Sequence, residues 1–156
     1  MMARYLLSIF LIILGTVSYA AYPPVLTEVI PREVNIVDTA KYAFIPKVIS
    51  GDTVAVQVKG GAVNVRIYGI EAPDGKWAIK ARDYLQWRVE RKDCAIEIMG
   101  RDRHGRATVR LYQGGADVGL QMVAMGLARA CAPTDKAISL TQDAAKKHGI
   151  GMWGRQ

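Results

Sequence analysis

The chain has 156 residues, 51% hydrophobic and 22% charged, with 21 Lys+Arg against 14 Asp+Glu for a formal charge of +7. That length makes one domain the expectation, and the apolar content excludes a disordered or low-complexity chain. The basic excess favours polyanionic partners such as nucleic acid or an anionic envelope polymer, although charge alone fits a plain soluble secreted protein equally well.

Residues 1–20 read as a signal peptide. Arg4 gives a positive start, Leu6 to Val17 is an apolar run broken only by Ser8, Gly15 and Thr16, and Ser18-Tyr19-Ala20 offers small residues where a signal peptidase reads. Cleavage after Ala20 is expected, and the formal charge then falls to +6, from 20 Lys+Arg less 14 Asp+Glu. The rival reading is an uncleaved anchor, but a run of about twelve residues is short of the ~20 that span a bilayer. The mature protein is therefore expected to be secreted or periplasmic, without stable membrane association.

Residues 21–41 form an extended leader, since Pro23-Pro24 and Pro31 discourage a helix. A first strand is predicted over Ala43 to Ile49, ending in the Ser50-Gly51 turn. From Ser50 to Asp74 the sequence SGDTVAVQVKGGAVNVRIYGIEAPD alternates with period two on both sides of Gly60-Gly61, which predicts a hairpin. Val54, Val56 and Val58 share one phase, as do Val63, Val65 and Ile67. Antiparallel pairing then brings Asp52 beside Glu71, with Arg66 and Asp74 nearby. Carboxylates and an arginine at the open end of a hairpin make a candidate site for a hard cation and a phosphate.

Lys76 to Arg91 predicts a helix with Ala78, Ala81, Leu85 and Val89 on one face and Trp77 and Tyr84 flanking it. Strands are expected over Cys94 to Met99 and Arg106 to Tyr112, joined by the Asp102-Arg103-His104-Gly105 turn. Asp117 can cap a helix running to about Met125, closed by Gly126. A last helix is expected from about Thr134 to His148. Cys94 and Cys131 are the only cysteines; a disulfide and two free thiols are both compatible with export. Two cysteines and the scattered His104 and His148 have no zinc-ligand spacing. Five strands with three helices predict an α+β fold, a small closed barrel with helices packed on it.

In order, Gly51-Asp52-Thr53, Arg66, Glu71-Ala72-Pro73-Asp74, Asp102-Arg103-His104-Gly105-Arg106 and Gly151-Met152-Trp153 resemble the staphylococcal nuclease (thermonuclease-like) family. The resemblance covers roughly Ala43 to Trp153, so residues 42–156 are expected to be one domain. It implies a five-stranded OB-fold barrel with three helices, and a calcium-dependent enzyme that cleaves DNA and RNA phosphodiester bonds. Asp52, Glu71 and the Ala72 carbonyl would be the calcium ligands. Arg66 and Arg106 would donate to phosphate oxygens, a geometry suited to a planar guanidinium. By the same resemblance, Asp74 matches the family position that would orient or deprotonate the attacking water. Plainer readings exist for four of them: Asp52 as a residue that shapes its turn, Arg66 as a solvated strand residue, Asp74 as the cap of the following helix, and Arg106 as a residue that merely flanks a turn.

Three departures from the family pattern bear on activity. Ser50 and Glu71 stand where the family has aspartate, and Asp74 where it has glutamate. Ser50 removes a negative charge from the cation's surroundings, while Glu71 is one methylene longer and Asp74 one shorter. The resulting expectation is an exported calcium-dependent nuclease, slowed by its altered carboxylates and acting as a monomer, with single strands favoured. The alternative is a catalytically weak OB-fold module that binds single-stranded nucleic acid or another polyanion. Such modules offer aromatic platforms on the sheet, and here only Tyr68 and Tyr112 fall on outward phases.

Overall fold

Residues 41–131 and 135–154 are described by the structure, a computed structural model. The expected signal peptide and nearly all of the leader lie outside the described residues. Strands β1 (Lys41–Ile45), β2 (Lys47–Ser50), β3 (Thr53–Val58), β4 (Gly61–Ile67) and β5 (Ile70–Glu71) come first. Helix α1 (Lys76–Val89), β6 (Lys92–Arg101), β7 (Ala107–Gln113) and β8 (Ala116–Asp117) follow. Then come α2 (Val118–Ala124), β9 (Arg129–Ala130), α3 (Lys136–Lys147) and a 3₁₀ turn at Gly151–Trp153.

The single first strand expected over Ala43 to Ile49 is two strands. Pro46 interrupts it, because proline has no N–H to give a ladder. β1 pairs antiparallel with β6, Ala43 opposite Cys94, whereas β2 pairs antiparallel with β3, Val48 opposite Val54. The sheet is mixed and runs β1-β6-β7-β4-β3-β2, with β8 added to β7 and the parallel contact between β4 and β7. This corrects the closed five-stranded barrel: the hydrogen-bonded path does not form a ring. Its two edges, β1 and β2, are consecutive in the chain and joined through Pro46, and β1 packs on β3. The α+β class and the three packed helices stand.

The core lies between the sheet and the helices and holds Ile45, Val54, Val65, Ile67, Leu85, Val109, Leu111, Met122 and Ile138. Each fully buried aliphatic side chain is worth about 1.5–3 kcal/mol relative to exposure, so burial, more than helix propensity, holds the helices on the sheet. Ala81, Leu85 and Val89 form the buried stripe of α1, with Trp77 and Tyr84 half-buried against the core. The hairpin tip runs beyond this core, so Val58 and Val63 are exposed despite sharing a phase with buried neighbours. Gly60, at φ 97°, supplies the left-handed conformation of the two-residue loop.

Two caps and one arginine fix the later helices. Asp117 accepts the Leu120 N–H at the start of α2, and Asp135 accepts the Ile138 N–H at the start of α3. Arg110 on β7 pairs with Asp117 at 3.0 Å and also with Asp135, so one guanidinium ties both caps to the sheet. Burial pushes the Asp117 carboxyl up, against the lowering effect of the Leu120 N–H and Arg110. Among the described residues, no helix is long and apolar enough to cross a membrane.

Candidate active site

The Ser50-Gly51-Asp52 turn joins β2 to β3 and packs directly on α1. A Cβ at Gly51 would stand 2.8 Å from that of Ala81 and 3.2 Å from that of Ala72, so only glycine lets the turn approach so closely. Asp52 is thereby set among four donors. Its Oδ1 accepts Ser50 Oγ–H at 2.8 Å and Thr53 Oγ1–H at 2.9 Å. Its Oδ2 accepts the Ala72 N–H at 3.2 Å and faces Arg66 Nη2 at 3.3 Å. Burial raises the Asp52 carboxyl, but the bonds from Ser50, Ala72 and Thr53, with the Arg66 charge, outweigh it and hold the group below the usual carboxylate range. Its contribution to stability, full above the ordinary pKa of about 3.9, is lost only as pH falls through the lower folded value.

Thr53 and Arg66 are directly opposite in the β3–β4 ladder, which aims the guanidinium at the turn. The same Nη2 lies 3.9 Å from Glu71 Oε1. Glu71 belongs to β5, paired with Arg129 of β9, and its side chain is 56% exposed, so the Arg66 end of the site is open to solvent. The structure thus brings together Asp52, Arg66, Glu71 and Ala72. Among the described residues no group of three or more His, Cys, Asp or Glu could hold a metal; the candidate donors are two carboxylates and the main chain.

Asp74 and Arg106 lie outside that cluster. Asp74 is 95% exposed and 3.6 Å from Arg129. It does not cap α1, because the cap residue is Gly75 and no side chain bonds there. Arg106 is held by Asp102, Nε to Oδ2 at 2.8 Å. Asp102 also accepts the His104 and Arg106 N–H groups and so shapes the turn. Against its desolvation, the Arg106 and His104 bonds hold the Asp102 carboxyl below its ordinary value.

A cleft of about 320 Å³ opens beside Arg66 and is lined further by Tyr68, Arg101, Asp102, Thr108 and Cys131. Cys131 is a free exposed thiol and Cys94 a free buried one, so the two do not form a disulfide. Burial pushes the Cys94 thiol up to about 11, which leaves it protonated and inert at neutral pH. Of the two outward tyrosines, Tyr112 is buried and donates its hydroxyl to Glu97. Only Tyr68 reaches the cleft, with the Arg110 guanidinium 5.4 Å from its ring centroid. Arg101 and Thr108 were not legible as site residues from the sequence, because the parallel β4–β7 pairing that sets Thr108 opposite Arg66 is non-local and a β-bulge between Ile98 and Gly100 sets the register of Arg101.

A mixed sheet with three packed helices, carrying an arginine between two carboxylates at the mouth of a cleft, is matched over residues 64–155 by the family model for staphylococcal nuclease homologues. The chain belongs to that family. It is also 30% identical over 115 residues to curated proteins of Escherichia coli O157:H7 and Escherichia coli, each described as an uncharacterized endonuclease. Those alignments cover 69% of this chain and 73% of each relative.

Proposed function

We propose that the chain is an exported, calcium-dependent nuclease that hydrolyses phosphodiester bonds of DNA or RNA, acts as a monomer and favours single strands. The observation that carries this reading is Arg66, held at 3.3 Å from Asp52 and 3.9 Å from Glu71 beside an open cleft. Membership in a nuclease family and the endonuclease-named relatives support the reaction class. The export half rests on the sequence of residues 1–20.

The donor set fits calcium, though weakly. Asp52 and Glu71 converge on one positive group, and an all-oxygen set suits the adaptable coordination of calcium better than that of magnesium, which demands tighter octahedral geometry. Ser50, which in this chain donates to Asp52, adds no charge, and Asp52 already accepts four donors. Asp52, Glu71 and the Ala72 carbonyl would hold the ion. Bound calcium would supply positive charge beside the phosphoryl oxygens.

The remaining chemistry belongs to the side chains. Arg66 donates to the phosphate and neutralises charge that builds on its oxygens. Its ion pairs with Asp52 and Glu71 hold it at the cleft wall. Arg106, oriented by Asp102, offers a second donor. Asp74, exposed and uninvolved in capping, is available to orient or deprotonate the attacking water. Its reach is short by one methylene, and this makes the enzyme slow. The second reading, a binding module with little catalysis, draws on the same fact: Asp74 contacts Arg129 rather than the Arg66 cluster.

Hydrolysis of single-stranded DNA measured with calcium, magnesium or zinc tests the reading. Calcium is expected to support cleavage far better than magnesium, and zinc not at all. Equal rates with magnesium would show that the ligand set is wrong.

A further inference from the structure

Both arginines assigned to the phosphate are already matched by carboxylates. Arg66 has Asp52 and Glu71, and Arg106 has Asp102. Arg101 lines the same cleft as Arg66, yet among the described residues no carboxylate pairs with it. Its Nη1 donates to the Gly105 carbonyl at 2.8 Å, which leaves most of the five N–H donors of a guanidinium without a protein partner there. This is the uncompensated positive charge at the cleft wall.

The sheet explains how it gets there. Thr108 of β7 is opposite Arg66 of β4 on one side and Gly100 of β6 on the other. Arg101, opposite Ala107, therefore starts about two strand spacings from Arg66, on the order of 10 Å, and both residues line the one cleft. The bulge between Ile98 and Gly100 inserts one residue just before Arg101. After it, Arg101 pairs with Ala107, next to Thr108, at the end of the sheet where the cleft opens.

We propose that Arg101 is a substrate-binding residue that holds the phosphate next to the one at Arg66, so that the cleft engages a nucleic-acid strand and not an isolated phosphodiester. The proposal rests on the nuclease reading of the same cleft. Arg101 differs from Arg66 in its contribution: it tethers the strand away from the reacting phosphorus, and its effect falls on affinity.

The test is fluorescence anisotropy with a labelled oligothymidylate of about 12 nucleotides, within the usual range of a single-strand site, in chelator so that no cleavage intervenes. Binding is measured between about 50 and 200 mM salt for the parent, Arg101→Gln, Arg101→Lys and a control, Arg82→Gln, an exposed cation of α1 away from the cleft. Arg101→Gln is expected to weaken binding about tenfold, as loss of one charge-assisted bond would. It should also flatten the slope of log affinity against log salt by about 0.7, one phosphate contact on a single strand. Arg101→Lys should keep the parent slope even if the Gly105 bond is lost, and Arg82→Gln should keep it too. An Arg101→Gln slope equal to the parent's overturns the proposal, as does a parent that does not bind. Loss of slope in Arg101→Lys overturns it as well, because the arginine would then act by shaping the turn. An Arg101-dependent slope in a protein that never cleaves with calcium would sink the nuclease reading and leave Arg101 as a phosphate ligand.

Discussion

Arg66→Ala is expected to lower kcat/KM on single-stranded DNA by about 10²–10³-fold, the usual consequence of removing one donor from a developing oxyanion. Arg66 is the only charged donor placed against both Asp52 and Glu71 among the described residues. Its loss strips Asp52 of one of its four donors and leaves the two carboxylates facing each other without a counter-charge. The fold should survive, because Asp52 keeps its bonds from Ser50, Thr53 and Ala72. Steady-state kinetics beside a thermal melt separate the two effects. A loss under tenfold in a folded variant would remove Arg66 from the reaction.

The hairpin and its cluster were legible in the sequence because strand alternation and a glycine turn fix a register, which puts Asp52 and Arg66 at one end, with Glu71 a few residues further along the chain. The stripe of α1 and the Asp117 cap were legible for the same kind of reason, a local period and a local hydrogen bond. What failed was non-local. Pro46 is plain in the sequence, but which edges the two halves of the broken strand would join depends on the whole sheet. Asp74 before a helix reads as a cap until the backbone shows Gly75 in that place. The β5–β9 ladder, two residues on each side, carries no periodicity at all, yet it sets Glu71 against Arg129 and so decides what Asp74 meets. Arg101 was hidden by a bulge.

Asp74→Glu is expected to raise kcat, by up to about 100-fold, because a misplacement of about 1 Å at a catalytic group can cost that much. The side chain is 95% exposed and tied by one contact at 3.6 Å to Arg129, so an extra methylene meets no packing barrier. The charge is unchanged, so the calcium requirement should move little. Asp74→Ala should abolish most of the remaining activity while leaving the melting temperature close to the parent's, since the residue caps nothing. The kinetic comparison at saturating calcium decides it. An unchanged kcat in Asp74→Glu would mean that Asp74 does not handle the water, and that its role is confined to the contact with Arg129.

The central claim, that the Arg66 cleft hydrolyses nucleic acid, is tested most directly by incubating purified residues 21–156 with end-labelled single-stranded DNA, with calcium or with a chelator, and resolving the products by length. Shortened products that form with calcium and are absent with chelator are the predicted result. Intact DNA under both conditions, together with salt-dependent binding of the same strand, would contradict it and leave a binding module.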